Sequence, residues 1–227
     1  TISRNGDLVY RMYIEVSDYS GNGNVKANPG ANWIKSVELE IGGQQIDKQS
    51  GQWMEVWSEL TQPNSGLRRI AIKGSGNPPN DGTTTGTLYQ TTTSMGGMGI
   101  KCIGSGPVYI PLLFWFCRNP GLALPLIALQ YHEVKVKLNH GSLAASYDST
   151  PKQKLFADYI YLDTDERRRF AQVSHEYLIE QIQYDSITSK NYNINFNHPV
   201  KELIWCSAKG AVESTDHATL YENISPN

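Results

Sequence analysis

The sequence predicts an all-β sandwich or jelly roll, and three observations carry that expectation. Several segments alternate apolar and polar residues with a period of two, the pattern of a strand with one buried face. Long stretches of Gly, Asn, Thr and Ser separate them, as loops between strands do. Only 19% of the 227 residues are charged, below the ~25% usual in globular domains, so the Ala-, Glu-, Lys- and Leu-rich make-up of a helical bundle is missing.

The first strand is expected over 8–16 (LVYRMYIEV), with Leu8, Tyr10, Met12, Ile14 and Val16 on one face and Arg11 and Glu15 on the other. Ser17 to Ala31, rich in Gly and Asn, reads as a loop. Trp33 to Ile41 alternates again, Val37, Leu39 and Ile41 against Glu38 and Glu40, and Gly42-Gly43 closes it with a tight turn. The period then changes. Trp53, Trp57 and Leu60, four and three apart with Val56 adjoining, predict a helix that Pro63 and Asn64 stop. Residues 74–106 offer little to bury beyond Leu88, Tyr89, Met95, Met98 and Ile103, and are expected to form an exposed loop.

Val108–Phe116 is almost continuously apolar, which predicts a strand buried on both faces; core strands are expected at 107–116 and 126–138. Arg118-Asn119-Pro120-Gly121 between them reads as a turn. Val134, Val136 and Leu138 alternate with Lys135 and Lys137, a polar loop follows over 139–153, and Phe156–Leu162 reads as a strand. Asp163–Gln172 predicts a helix capped by Asp163 or Thr164, with acids in its first turn. Tyr177–Ile182, Asn193–Phe196 and Glu202–Trp205 read as further short strands.

A net charge of −2 and a pI near 6.2 create no general field for nucleic acid or acidic lipid, so no direct nucleic-acid partner is expected. No apolar run approaches the ~18 residues of a transmembrane helix. Cys102, Cys117 and Cys206 are odd in number and never spaced C-x-x-C, which supports neither a disulfide framework nor a zinc site. His132-Glu133 and His175-Glu176 lack the second His of a zincin, no His-x-His pair of a cupin occurs, and no metal centre is expected among His132, His175, His198 and His217. With no G-x-S-x-G elbow and no phosphate-binding G-K-[ST], no catalytic residue and no cofactor site is assigned, and the protein is not expected to be an enzyme. The run Asp165-Glu166-Arg167-Arg168-Arg169 reads as a solvated or interface helix, because its own acids cancel much of its field. Asn223-Ile-Ser225 is a formal glycosylation sequon, a short pattern that chance often produces.

Several blocks together resemble the major capsid protein of the nucleocytoplasmic large DNA viruses. They are Ile2-Ser-Arg-Asn-Gly-Asp-Leu8, Val37-Glu-Leu-Glu-Ile-Gly-Gly-Gln44 with Ile46-Asp47, and Pro120-Gly-Leu-Ala-Leu-Pro-Leu-Ile-Ala-Leu-Gln-Tyr-His-Glu-Val134. Asp158-Tyr-Ile-Tyr-Leu-Asp163 with Glu166-Arg-Arg-Arg-Phe-Ala-Gln172, His175-Glu-Tyr-Leu-Ile-Glu-Gln-Ile-Gln183 and Phe196-Asn-His-Pro-Val-Lys-Glu-Leu-Ile-Trp205 follow in family order. The resemblance implies a tandem, or double, jelly roll. Residues 1–163 would be the first roll, nearly complete but lacking its opening strand. Residues 164–174 would be a linker helix, and 175–227 the start of a truncated second roll.

Three copies would form the homotrimeric, pseudo-hexagonal capsomer of an icosahedral capsid in the virion, assembled in the host cytoplasm. Neighbouring capsomers, minor capsid proteins and glycans would be its partners. Glu166, Arg167, Arg168 and Arg169 would join the two rolls or touch a neighbour. The chain opens without an initiator Met or a signal peptide and reads as part of something longer. Val37, Leu39, Ile41, Val108 and Ile110 are therefore expected to need sheet neighbours from outside this chain, and the isolated chain to aggregate or stay partly unfolded. The alternatives are a carbohydrate-binding, lectin-like jelly roll using the Gly/Thr loop, and a cupin-like enzyme.

Overall fold

The computed structural model describes residues 1–17, 29–62, 88–96, 107–141, 152–185 and 191–205. In chain order its elements are β1 (Leu8–Ser17), α1 (Pro29–Trp33), β2 (Ile34–Ile41), β3 (Gln44–Ser50), α2 (Gly51–Thr61), α3 (Leu88–Thr93), β4 (Val108–Pro111), α4 (Trp115–Arg118), β5 (Leu124–Pro125), β6 (Val134–His140), β7 (Lys152–Ile160) and α5 (Thr164–Gln172). A 3-10 turn occupies Pro120–Leu122. Both sheets are antiparallel. In one, β1 pairs with β7 along its length, while β4 and β5 pair with the two ends of β1 on the other side. In the other the order is β3-β2-β6. A single apolar cluster takes Val9, Met12 and Ile14 from the first sheet and Val37, Leu39 and Val134 from the second, so the sheets pack face to face as a sandwich.

The expected first strand forms with one change of face. Its register against β7 shifts between Val9 and Met12, so Val9 is fully buried with Met12, Ile14 and Val16, while Tyr10 is only half-buried. A bulge adds a residue that a strict period of two does not register. The β2–β3 hairpin closes as expected: Gly42 (φ 59°) and Gly43 (φ 84°) both lie in the left-handed region that the tight hairpin turn requires. Val37, Leu39, Val108 and Ile110 do not lack neighbours. β2 lies between β3 and β6, and β4 pairs with β1; all four are buried and Ile41 packs against the same core. That expectation is corrected, because the partners come from within this same chain.

Other expectations are corrected as well. The helix α2 forms, capped by the Ser50 hydroxyl, which accepts from Trp53 N at 3.1 Å, but its inner face carries Met54, Glu55 and Ser58 while Leu60 is 59% exposed. Residues 88–96 are not an exposed loop: α3 and the turn after it bury Gln90, Thr93, Ser94 and Met95. Polar bonds hold them. Gly96 N donates to both Glu55 carboxylate oxygens (3.1 and 3.0 Å), Gly30 N donates to Ser94 O (3.0 Å), and the Tyr89 and Ser58 hydroxyls meet at 2.7 Å. A search for apolar residues misses this kind of anchorage. The rest of 74–106 lies outside the described residues.

The run 107–116 is strand only over Val108–Pro111 and then turns into α4, yet Phe114, Trp115 and Phe116 are all buried as expected. Likewise 126–138 is strand only from Val134; Leu126 to His132 runs through turns such as His132 N to Leu129 O at 2.9 Å. Over 108–116 apolarity predicted burial correctly and backbone conformation wrongly, since a side chain enclosed on all sides imposes no period; over 126–138 only Leu126 and Val134 are buried. Pro29–Ala31, expected as loop, and Trp33, expected to open the second strand, belong to the short helix α1 (Pro29–Trp33). No helix among the described residues is long and apolar enough to cross a membrane.

Candidate assembly surface

The flank of the sandwich that receives the chain after β7 is the most chemically specific part of the molecule. Asp163 caps α5, its side chain accepting from Glu166 N at 2.8 Å. None of the helix is buried, so α5 is held from its ends. Arg167 Nη2 donates to Asp7 Oδ2 at 3.0 Å, and Leu162 N donates to the same oxygen at 2.9 Å. The backbone N–H of Leu162 first, and the Arg167 guanidinium second, hold the Asp7 carboxyl below the ordinary value of 3.8. At the far end the Phe170 and His175 rings stack at 4.8 Å and His175 Nε2 donates to Phe170 O at 2.8 Å. Of the four predicted residues, Arg167 grips the sandwich; Glu166, Arg168 and Arg169 are exposed.

A group whose folded pKa is depressed contributes stability that is present above its unfolded value and is lost as pH falls through the folded one. Acid unfolding of the native protein is therefore expected to steepen below 3.8, and Asp7→Asn to flatten that limb. Thermal melts across the acid range check this; identical limbs would refute it.

Beyond α5 two extended segments lie on the surface. Tyr177–Ile182, Asn193–Phe196 and Glu202–Trp205 were expected as strands and, in this chain, form no ladder. A strand requires a neighbouring backbone in register, and here the pairing is made by side chains instead. Gln183 donates from Nε2 to Asn197 O (3.2 Å) and accepts from Asn197 N through Oε1 (3.0 Å), Tyr192 meets Asp185, and Lys201 meets Glu180. These pairs run in opposite directions along the two segments, which are therefore antiparallel. Leu178 and Trp205 stand 90% and 79% exposed upon them.

The inner segment is fastened to the sandwich at three successive residues. Glu180 Oε2 accepts from Arg118 Nη1 at 2.8 Å. Gln181 Nε2 donates to Ile46 O, and Ile182 N donates to Asp47 Oδ1 at 3.1 Å. Arg118 lies over the Trp57 ring, 4.3 Å from its centroid, and its Nε donates to Leu113 O at 3.2 Å. Asp47 is 3% exposed. Its carboxylate also accepts from Lys48 N (2.9 Å) and Gln49 Nε2 (2.8 Å). Burial pushes its pKa up, against the pull of the Ile182, Gln49 and Lys48 bonds and the Arg118 charge. A little further back, the Tyr177 hydroxyl reaches Ala123 O at 3.4 Å. Sequence reading named none of Asp7, Asp47, Trp57, Arg118 and Glu180 as functional. The available signal was an acid at Asp47 inside a strand whose neighbours are otherwise paired.

The remaining candidates do not converge. His132 faces Gly42, where an added Cβ would meet its Nδ1 at 2.7 Å, His175 sits on Phe170, and His198 adopts a left-handed backbone (φ 72°). Among the described residues no three His, Cys, Asp or Glu side chains are placed to hold a metal ion. Cys117 is half-buried and burial pushes its thiol up to about 12, which leaves it protonated and unreactive at neutral pH. Cys102, Cys206, His217 and Asn223 lie outside the described residues.

Two antiparallel sheets packed face to face, with a surface that grips a later part of the same chain, define a jelly-roll sandwich. The chain belongs to the major capsid protein family of large eukaryotic DNA viruses: the model described as the major capsid protein N-terminus matches residues 1–163, and that of the large eukaryotic DNA virus major capsid protein matches 166–226. The chain is 47% identical over 230 residues to the major capsid protein of Pyramimonas orientalis virus, covering 98% of this chain and 54% of that one. Against the major capsid protein of Paramecium bursaria Chlorella virus 1 it is 37% identical over 226 residues, covering 90% and 47%. The crystal structure of PBCV-1 VP54 superposes with a TM-score of 0.57 at 37% identity, over 79% of this chain and 41% of that one. The chain thus spans about half the length of the relatives it matches.

Proposed function

We propose that the protein is a structural subunit of an icosahedral viral capsid, three copies forming a pseudo-hexagonal capsomer. The observation that carries this reading is the pair of family matches, which together run through nearly the whole chain and meet at α5. Residues 1–163 are then the first jelly roll, 164–174 the linker helix and 175–227 the beginning of the second roll. The exposed faces of Glu166, Arg168 and Arg169 are free to meet a neighbouring subunit, while Arg167 ties the linker back to the first roll. Partners in this reading are the two other copies of the trimer, adjoining capsomers and minor capsid proteins, with surface glycans for which Asn223 is a formal acceptor. The protein works in the virion after assembly in the host cytoplasm, and its role is to bury surface against copies of itself rather than to carry out a reaction.

Purified protein is expected to sediment as a trimer and to show a threefold outline by electron microscopy. A soluble monomer that melts cooperatively, with no threefold particle, would overturn the capsomer and favour a lectin-like module.

A further inference from the structure

Two blocks that carry the family likeness are far apart in the sequence and meet in the fold: Ile46-Asp47 in β3, and Glu180-Gln-Ile182 beyond the linker. We propose that Asp47 and Arg118, the latter seated on Trp57, form a docking site on the first roll for the opening segment of the second, and that this site sets the register and angle at which the second roll leaves the first. The inference rests on the two-roll reading above.

The site is built before its ligand arrives. Asp47 is oriented by Lys48 N and Gln49 Nε2, and Gln49 is itself tied to Leu113 O at 3.1 Å. Arg118 is oriented by Leu113 O and the Trp57 ring. Little ordering entropy is therefore left to spend when the segment docks. A carboxylate buried to this degree is costly unless its charge is met by donors, and one of its donors, Ile182 N, comes from outside the sandwich. A site for that segment explains the acid where an apolar residue would pack as well.

The three bonds select register by chemistry. Arg118 requires an acid opposite, and a slip by one residue would offer it Ile179 or Gln181 instead of Glu180. Asp47 requires a backbone N–H, which any residue but proline supplies. Arg118 and Glu180 are partly buried, their side chains 21% and 37% exposed, so solvent screens this pair less than an exposed one. Lys201 then binds the other oxygen of Glu180 and brings in the second extended segment. Arg118 and Asp47 are positioning residues.

The test is hydrogen exchange on the purified protein carrying Arg118→Gln, Glu180→Gln, both together, or Ile182→Pro. Each single change is expected to raise exchange across residues 177–183 at least tenfold while β1 and β2 stay protected, and the double variant to add little to either glutamine variant. Ile182→Pro removes the docking N–H and leaves Asp47 and Arg118 on the sandwich unaltered, so it reads the site even if an Arg118 variant misfolds. Unchanged exchange in 177–183 for Ile182→Pro, or fully additive effects for the pair, would overturn the docking site. Trimer formation by the unaltered protein is measured in parallel. Its absence would sink the capsomer reading alone, whereas trimers with unchanged exchange in the variants would sink the docking site alone.

Discussion

Phe114→Ala is expected to lower folding stability by about 3–5 kcal/mol, the range for deleting a large aromatic ring from a packed core. Phe114 has no exposed surface. Its ring stacks with Phe116 at 5.8 Å, and Phe116 meets Trp115 edge-on at 5.2 Å. The ring stands where the chain leaves β4 for α4, and the turn is held by Cys117 N donating to Phe114 O at 2.9 Å. Losing it empties the space beneath both elements, and the backbone bonds around it restrict collapse into the gap. Urea denaturation followed by tryptophan fluorescence measures the change. Tyr131→Ser serves as the control, because Tyr131 is 87% exposed and surface changes of this kind usually stay within about 0.5 kcal/mol. A Phe114→Ala effect as small as the control would refute the assigned core.

Gly51→Ala is expected to destabilise by about 3 kcal/mol, at the upper end of what overpacking costs. The sign is informative, because Gly to Ala within a helix ordinarily stabilises by about 1 kcal/mol. Gly51 opens α2 directly after its Ser50 cap. A Cβ there would lie 2.1 Å from Ala31 O and 2.3 Å from Ile34 O. Both obstacles are backbone, so no rotamer change relieves them; α2 would have to move off the α1–β2 junction. Met54 and Glu55, whose carboxylate anchors Gly96, would move with it. Gly43→Ala provides the contrast. Nothing lies within 4 Å of its added Cβ, and the cost there comes from a φ of +84° alone. A Gly51→Ala protein as stable as the native one would show that α2 does not sit so close to α1.

Where a segment's surroundings are local and one-sided, the sequence by itself determined its structure. The alternation of Val37, Leu39 and Ile41 with Glu38 and Glu40 specifies β2, because one face meets the core and the other meets water; Gly42-Gly43 specifies its hairpin, because both positions need positive φ. Asp163 and the acids after it specify α5, because a cap acts on donors three residues away. The family likeness likewise lay in contiguous blocks.

The tertiary structure decided the rest. Phe114 to Phe116 carry no polar residue to mark an outside, so only the packing of β1 and α4 chose helix over strand. Trp53, Trp57 and Leu60 were read from their spacing as the apolar stripe of α2, yet Trp57 lies at the rim under Arg118 and the inner face carries Met54 and Ser58. Tyr177–Ile182, Asn193–Phe196 and Glu202–Trp205 have strand-like sequence, but without a backbone in register the described segments 177–185 and 191–205 are paired by side chains. The assembly surface was the least legible. Arg118 finds Glu180 across 62 residues and Asp47 finds Ile182 across 135. No periodicity, cap or turn signal extends over such distances; two charges or a carboxylate and an N–H so far apart become a site only when the fold has already brought their backbones together.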